Sequence, residues 1–256
     1  SVQDCSDIRF GIIVPAFQAQ ASIGAVVRGL KAHWPEAGAV LVVDDGSTDQ
    51  TRPRAREAGA EVLRHPENRG KGEALRTGLQ DLAARGFDVA VSVDADGQHP
   101  PDEAWLLHIG CDDPDAMVIG VRDLADAGAP RNNQWSNAFS NRVLSAFTGQ
   151  QLDDTQSGLR RYPITKTLAL RGRASGYAYE AEVLIRAIAA EVRIVHIPID
   201  VIYPPEDERI SHFHHVRDPA RIVVRVVTTV LEERWRKLFR RRKSKLSPSG
   251  TAHELE

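Results

Sequence analysis

Residues 89–103 read Val-Ala-Val-Ser-Val-Asp-Ala-Asp-Gly-Gln-His-Pro-Pro-Asp-Glu. Successive side chains of an extended strand point to opposite faces, so Asp94 and Asp96 project together at its end. Gly97 lets the backbone turn, and Pro100 stops the strand from continuing. Two carboxylates at a strand end suit a divalent cation such as Mg²⁺ or Mn²⁺. The alternative for these residues is a polar turn that caps a following helix.

Short apolar runs alternate with helical segments on both sides of this stretch. Capping residues, such as Ser22, and glycines mark the starts and ends of the predicted helices. Such alternation predicts right-handed βαβ units and an α/β fold, with a Rossmann-like, mostly parallel sheet flanked by helices. The predicted strands of the first half span residues 9–17, 39–43, 61–64, 87–93 and 117–121.

Three polar clusters follow the predicted strands at the edge where ligands bind in parallel sheets. They are Asp44-Asp45, Gly70-Lys71-Gly72 and the segment from Asp94 to Gln98. Because carboxyl ends of parallel strands share one edge, these clusters should converge there. That convergence favours a metal site over a simple turn.

The second half of the chain is less regular. Helical spacing is predicted over residues 135–148, 177–190 and 219–245, and strands over 159–162 and 192–202. No linker divides the chain, so we predict one domain over residues 1–218. Residues 219–256 form a basic amphipathic helix and tail, as part of that domain or as a membrane-surface appendage.

The composition is that of an ordinary globular protein. Of 256 residues, 42% are hydrophobic and 27% are charged, and the net charge of −2 gives no indication of nucleic-acid binding. Cys5 and Cys111 lie in neither a metal-ligand spacing nor a disulfide framework, which favours a reducing, cytoplasmic compartment. No signal peptide is recognisable, and no stretch reaches the roughly 18 apolar residues that a membrane span requires.

Five segments in order resemble the family 2 glycosyltransferases of GT-A fold, and among them the dolichol- or polyprenol-phosphate sugar transferases. They are Val14-Pro15-Ala16-Phe17, Val42-Val43-Asp44-Asp45-Gly46-Ser47-Thr48-Asp49, Asn68-Arg69-Gly70-Lys71-Gly72, Asp94-Ala95-Asp96-Gly97-Gln98-His99-Pro100-Pro101 and Asp154-Thr155-Gln156-Ser157-Gly158. The resemblance implies a GDP- or UDP-sugar donor, Mg²⁺ or Mn²⁺, and inverting transfer of a hexose to a polyprenyl or dolichyl phosphate.

The resemblance also implies the donor site. Asp94 and Asp96 would hold the nucleotide ribose and the metal, and Gln98 would complete the metal site. Lys71 would lie near the nucleotide, or else be a solvated lysine at a helix start. Pro15 and Ala16 would form the wall of the base pocket, and Asp44 or Asp45 would accept a hydrogen bond from the base N–H. Gln156 would contact the sugar hydroxyls. His212, with His214 and His215 beside it, would lie in a loop that closes over the donor.

Arg122 matches an arginine that contacts the acceptor phosphate in the resembling family, with Arg131 and Ser140 as further candidates. A planar fork of donors suits a phosphate. Asp154 is the candidate catalytic base, which transfer to a hydroxyl needs and transfer to an ionised phosphate does not. Asp154 could instead orient the sugar or cap the turn.

The tail at residues 234–245 mixes basic residues with Trp235, Leu238 and Phe239. It suits an anionic membrane surface or, alternatively, a solvated terminus. Nothing accompanies it that indicates nucleic-acid binding. Rival functions are transfer to a hydroxyl of a saccharide, diacylglycerol or small hydroxy acid, a sugar nucleotidyltransferase, and a non-catalytic nucleotide-sugar-binding module. A nucleotidyltransferase should carry a glycine-rich, arginine-containing loop after the first strand, and residues 15–22 contain none.

Overall fold

The computed structural model describes residues 8–33, 39–176, 178–202 and 225–232. The strands are β1 (Phe10–Ala16), β2 (Val40–Asp44), β3 (Glu61–Arg64), β4 (Val89–Ser92), β5 (Met117–Arg122), β6 (Arg160–Pro163) and β7 (Ile194–Ile199). The helices are α1 (Ile23–His33), α2 (Thr51–Glu57), α3 (Lys71–Ala84), α4 (Pro101–Ile109), α5 (Arg131–Thr148), α6 (Ile164–Ala169) and α7 (Ala178–Ala189). Residues 225–232 are also helical.

The strands form one seven-stranded sheet in the order β3-β2-β1-β4-β6-β5-β7. Its strand pairs are parallel except those of β6, which runs antiparallel to both β4 and β5. Every residue of β2 (VLVVD) and of β4 (VAVS) is buried. Such continuous apolar runs are expected of strands that helices cover on both faces. The predicted α/β fold with a mostly parallel sheet is therefore confirmed.

Two apolar cores lie on the two faces of the sheet. Neighbouring residues of β1 alternate between them, with Ile13 in one core and Ile12 in the other. The Ile13 core includes Leu79 of α3, and the Ile12 core includes Val27 of α1 and Leu107 of α4. This period of two is the geometry of an extended strand between two layers of helices.

The antiparallel β6 positions a loop for the site. Because β6 runs against its neighbours, residues 154–158 precede it at the edge where the parallel strands end. Ser92 Oγ donates to the Gly158 carbonyl at 2.8 Å, which fastens this loop to the end of β4. Polar groups from strands of both directions therefore meet at one edge.

Helix α1 begins directly after Ser22, as predicted, and the Ser22 hydroxyl donates to the Ala95 carbonyl at 2.6 Å, which ties this end of α1 to the loop after β4. Other local expectations were wrong. Helix α5 begins four residues earlier than predicted, after Pro130, and α6 was not predicted. A proline directly before a helix is favourable at its first turn, and six residues are too few to show a helical period.

Other predictions fall outside the described residues. They are the loop with His212, His214 and His215 and the tail at residues 234–245. Of the predicted helix at 219–245, residues 225–232 are helical in the structure, and the division at residue 218 stays a prediction. Among the residues that the structure describes, no helix combines the length and apolar character needed to cross a bilayer.

Candidate functional site

Asp94 lies at the end of β4 in contact with the first residue of α3. The Lys71 ammonium is 2.6 Å from Asp94 Oδ1 and 3.1 Å from Glu180 Oε1 of α7. The Lys71 side chain is only 14% exposed, so the alternative of a solvated lysine is wrong. Glycines at 70 and 72 let the backbone of residues 174–175 lie against the start of α3, because a Cβ at either position would lie within 2.6 Å of a backbone oxygen of those residues. Lys71 therefore bridges two carboxylates from different elements.

Burial and the charges at this edge shift three pKa values. Burial alone would raise the pKa of Asp94, but attraction to Lys71, His99 and Arg122 and the hydrogen bond from Lys71 together outweigh it and lower that pKa. Partial desolvation, and then repulsion from Asp94, raise the pKa of Asp96 to about 6. Burial lowers the pKa of His99 to about 4, so its ring is neutral near pH 7. A carboxylate that resists ionisation beside a second one marks a place where a cation would be stabilised.

Asp96 and Gln98 occupy the turn after Asp94. The backbone N–H of Gln98 donates a hydrogen bond to Asp96 Oδ1 at 2.9 Å, and Asp96 is exposed. The backbone carbonyl of Gln98 accepts a hydrogen bond from the Ile202 N–H at 2.8 Å, which anchors the turn to the segment after β7. The spacing of the two carboxylates thus brings both to one turn, as the sequence predicted.

A divalent cation fits these residues. Within the described ranges, no cluster of three or more His, Cys, Asp or Glu side chains could hold a metal by itself. Mg²⁺ is commonly bound by one or two carboxylates together with substrate phosphates and water, not by an all-protein cage. His99 adds a buried Nδ1 that lacks a hydrogen-bond partner among the described residues. The donor set therefore suits a cation that binds together with a diphosphate.

The two aspartates at the end of β2 differ in their surroundings. Asp45 accepts hydrogen bonds from the amides of Arg69 (2.9 Å) and Gly70 (2.7 Å), and its Oδ1 is 2.6 Å from His65 Nδ1. Asp44 accepts from the Ser47 amide through Oδ1, while its buried Oδ2 has no hydrogen-bond partner in the described part of the chain. The Asp45 carboxylate thus holds the loop before α3, whereas Asp44 Oδ2 could accept a hydrogen bond from a ligand.

Pro15 and Ala16 end β1 directly beside Asp44. Pro15 pairs with Val43 and Ala16 with Asp44 in the parallel register, and the Ala16 carbonyl accepts from the Asp45 N–H at 2.8 Å. Both residues are buried. The strand register thus brings together the residues predicted for the base pocket.

Arg122 and Asp154 form a two-pronged ion pair. Arg122 Nε donates to Asp154 Oδ2 at 2.7 Å and Nη2 to Oδ1 at 2.8 Å, and the Arg122 amide adds a bond of 3.0 Å to Oδ2. The Asp154 side chain is 1% exposed, and its backbone is left-handed with φ of 60°. Asp154 is thus committed to Arg122, whose charge also lowers the pKa of Asp94.

Helix α5 contacts the loop that begins at Asp154. The Ser140 hydroxyl lies 2.8 Å from Thr155 Oγ1, and Asn141 Oδ1 accepts from both the amide and the hydroxyl of Thr155. Gln156 Nε2 donates to Ser136 Oγ at 3.0 Å. Arg131, the other predicted acceptor contact, is exposed at the first residue of the helix. Ser140 is therefore part of a hydrogen-bonded junction and not an isolated surface serine.

Three residues of this site were not among the sequence candidates. Glu180, whose place near a helix start is common for a carboxylate, is buried against Lys71. His99 is buried beside the carboxylates. Arg160 is fully buried and donates to the carbonyls of three other residues, Thr155, Ser157 and Glu180. The sequence motif that contains His99 indicated a site at this position. Nothing in the sequence indicated that Arg160, a basic residue in a strand, would be buried.

An open groove of about 570 Å³ begins beside Arg122 and runs between the ends of β5 and β7 and helix α4. Its walls combine apolar and acidic side chains. The lining residues are Glu103, Leu106, Val121, Arg122, Asp123, Pro198, Ile199 and Asp200. Arg122 connects this groove to Asp94, because it lines the groove and its charge lowers the pKa of Asp94.

The bridge made by Lys71 can be measured as a coupling between residues. We expect Lys71→Met to lower the free energy of unfolding by about 2 kcal/mol, because it leaves the Asp94 and Glu180 carboxylates without their shared cation. Adding Glu180→Gln should recover part of this loss, which urea unfolding of the two single variants and the double variant would reveal. As a control, Lys166→Met removes only an exposed ion pair with Asp115 and should change stability by less than about 1 kcal/mol. Additive effects of the two substitutions would contradict the bridge.

Comparison with known proteins shows the family of this chain. Residues 11–166 match the family model described as glycosyl transferase family 2. A UDP-N-acetylglucosamine–dolichyl-phosphate N-acetylglucosaminyltransferase of Methanococcus voltae is 32% identical, over 75% of this chain and 85% of that protein. A polyprenol monophosphomannose synthase of Mycolicibacterium smegmatis is 27% identical, over 73% of this chain and 75% of its own.

Among solved structures, a glucosyl-3-phosphoglycerate synthase of Mycobacterium tuberculosis, in complex with Mn²⁺, UDP and phosphoglyceric acid, superposes with a TM-score of 0.69. It is 21% identical, and the match covers 91% of this chain and 81% of that one. At this identity the likeness establishes a shared GT-A-like fold. The match over residues 11–166 and the 32% identity to the Methanococcus voltae enzyme show that the chain is a glycosyltransferase and belongs to glycosyl transferase family 2.

Proposed function

We propose that this enzyme transfers a hexose from a UDP- or GDP-sugar to a polyprenyl phosphate with inversion at the anomeric carbon. The observation that carries the proposal is Arg122. Its guanidinium is held by the buried Asp154, acts on Asp94 and lines the groove that leads away from the carboxylates. A positioned guanidinium suits a phosphate, and relatives named for lipid-phosphate acceptors support the same acceptor class here.

The donor would bind across the ends of β1, β2 and β4. The base would lie against Pro15 and Ala16, with its N–H donating to Asp44, since the Asp45 carboxylate already accepts from the loop before α3. Asp94 and Asp96 would hold the divalent cation, with the ribose near Asp94, and Gln98 and His99 lie in the same turn. The cation would supply Lewis-acid stabilisation of the charge that develops on the departing diphosphate.

The acceptor phosphate would meet Arg122 at the mouth of the groove, and its chain would follow the apolar wall of Leu106, Pro198 and Ile199. A phosphate oxygen forms the new bond to the anomeric carbon while the bond to the donor diphosphate breaks. Because a phosphate monoester is already ionised near neutral pH, this step needs no protein base. Asp154 then acts as a positioning residue for Arg122.

The acidic side of the groove favours a second candidate, transfer to a hydroxyl. Glu103, Asp123 and Asp200 line it, and burial raises the pKa of Glu103. A carboxylate with a raised pKa is suited to remove a proton from an attacking hydroxyl. In that case Glu103→Gln would abolish transfer, whereas for a phosphate acceptor the same change should leave most of the activity.

Nucleotide binding tests the donor half. We expect Mn²⁺ to strengthen the binding of either UDP or GDP in isothermal calorimetry, and Asp96→Asn to weaken that metal-dependent binding by about tenfold, because a ligand of the cation is lost. Asp102→Asn removes an exposed carboxylate from the first turn of α4 and serves as the matched control. A folded protein that binds neither nucleotide with any metal would overturn the proposal.

The acceptor half is tested with labelled sugar nucleotide and two lipids that differ only in the phosphate. Polyprenyl phosphate should become labelled, and the free polyprenol should not. Labelling of the free polyprenol, or of a soluble saccharide in its place, would replace the proposal by the hydroxyl acceptor.

A further inference from the structure

His65 directly follows β3 and is only 5% exposed, although residues 66–69 after it are exposed. Its backbone N–H donates to the Asp44 carbonyl at 2.9 Å, which fixes the residue at the end of the sheet. Both ring nitrogens have partners, because Nδ1 lies 2.6 Å from Asp45 Oδ1 and Nε2 lies 2.9 Å from Thr77 Oγ1 of α3. The imidazole therefore joins the ends of β2 and β3 to α3.

The surroundings of Asp45 determine which ring nitrogen of His65 donates to it. The amides of Arg69 and Gly70 donate to the two oxygens of this carboxylate, so both oxygens act as acceptors. Such bonds favour the ionised form of a carboxylate, which has no proton to donate. Nδ1 must therefore carry the proton of the 2.6 Å bond. The nitrogen that remains, Nε2, faces the Thr77 hydroxyl, and the two contacts together orient the ring.

The loop between β3 and α3 depends on the Asp45 carboxylate. In the part of the chain that the structure describes, the bond from the Arg69 amide to Asp45 is the one hydrogen bond that residues 66–69 make. The next residue, Gly70, is held by the same carboxylate, and Lys71 after it is the first residue of α3. A carboxylate that turned away from these amides would therefore release the segment that leads into Lys71.

We propose that His65 is a positioning residue of the donor site. By donating to Asp45, it keeps that carboxylate turned toward the loop amides, and the loop in turn places the Lys71 ammonium beside Asp94. A buried carboxylate whose hydrogen bonds are all made has few other arrangements open to it. The proposal deepens the proposed function and rests on it, because a fixed Lys71 serves the binding of the donor nucleotide.

The alternative is that His65 is a core histidine that contributes to stability alone. The chain offers a matched control in His108, which is 6% exposed and stacks on the ring of Phe10 at a centroid distance of 3.8 Å. His108 belongs to α4, which packs on the face of the sheet opposite to α3. Replacing His108 therefore removes an equally buried imidazole without touching the loop before α3.

Three variants of the full chain test the proposal. His65→Leu removes both ring nitrogens, whereas His65→Asn keeps an N–H donor at the place of Nδ1. We expect His65→Leu to weaken the Mn²⁺-dependent binding of UDP or GDP by about tenfold or more in isothermal calorimetry, because a hydrogen bond to a charged group is lost. The KM for the sugar nucleotide should rise by a similar factor, with the acceptor KM unchanged. Both His65→Asn and the control His108→Leu should stay within about threefold of the wild type in donor binding, whatever their stability.

Hydrogen–deuterium exchange of the unliganded protein measures the loop itself. Amides of residues 67–72 should exchange faster in His65→Leu than in the wild type, because Asp45 no longer holds them firmly. In His65→Asn they should exchange at close to the wild-type rate. This readout requires neither nucleotide nor activity.

Two outcomes would overturn the proposal. One is wild-type donor affinity in a folded His65→Leu protein. The other is a loss of donor affinity in His65→Asn or His108→Leu as large as that in His65→Leu, because lower stability would then explain all of it. A wild-type protein that binds neither nucleotide would instead overturn the proposed function, and unchanged loop exchange in His65→Leu would then overturn the role of His65 as well.

Discussion

Replacing Gly158 by alanine should reduce sugar transfer at least about a hundredfold. A Cβ at this position would lie 2.0 Å from Asp94 Oδ2 and 2.7 Å from its Cγ, far inside van der Waals contact. The Gly158 carbonyl is fixed by Ser92 Oγ at the end of β4, so the loop cannot easily retreat. Asp94 must therefore leave its place beside Lys71, and displacement of a catalytic constellation by about 1 Å can cost a factor of about 100.

Steady-state transfer and metal-dependent nucleotide binding should decline together in this variant. The matched control is Gly176→Ala, where an added Cβ has no atom within 4 Å, so transfer should be unchanged. Circular dichroism and urea unfolding would establish that both variants are folded. Wild-type transfer by a folded Gly158→Ala enzyme would mean that Asp94 is not needed in its observed position.

Replacing Asp154 by asparagine should lower the free energy of unfolding by about 3 kcal/mol, since it removes the buried charge that pairs with the Arg122 guanidinium, whose side chain is only 12% exposed. For a chain of this size, that corresponds to a fall in Tm of about 6–12 °C. Asparagine is the informative substitution because it tolerates the left-handed backbone at this position better than alanine. Calorimetry or fluorescence-monitored heating measures the shift.

Kinetics then separate a base from a positioning residue. If Asp154 positions Arg122, Asp154→Asn should mainly raise the KM for polyprenyl phosphate, and Arg122→Ala should have a larger effect in the same direction. Asp153→Asn, one residue earlier and half exposed, is the control and should keep both constants. A large loss of kcat in Asp154→Asn at unchanged stability and unchanged acceptor KM would instead identify a catalytic base.

The sequence predicted most of the α/β framework because that framework depends on local patterns. Runs such as Val40–Asp44 and Val89–Ser92 are buried on both faces, and their continuous apolar character is visible without coordinates. The convergence of Asp44, Lys71 and Asp94 at one edge followed from the parallel direction of the strands. The direction of β6 did not follow, because residues 160–163 carry no mark of the strands that they pair with.

The parts of the site that sequence could not reveal depend on long-range partners. Glu180 reads as an ordinary carboxylate near a helix start, and only the packing of α7 against α3 brings it to Lys71. Asp44 and Asp45 are indistinguishable in the sequence, yet the loop before α3 satisfies the Asp45 carboxylate, while one oxygen of Asp44 has no hydrogen-bond partner among the residues that the structure describes. Arg160 and Arg161 resemble a surface pair, but both are buried and bound to carbonyl oxygens.

The antiparallel β6 also has a consequence for how the chain folds. Ser92 pairs with Arg160 and Val89 with Pro163. Nearly seventy residues of chain therefore separate β4 from the strand that pairs with its second edge. During synthesis the Val-Ala-Val edge of β4 is therefore open, and an open apolar edge invites pairing with another chain. Closing so long a loop is slow, which places the completion of the sheet late in folding. A chain that ends before Arg160 would keep Asp94 and Asp96 but should aggregate through β4 instead of forming a site.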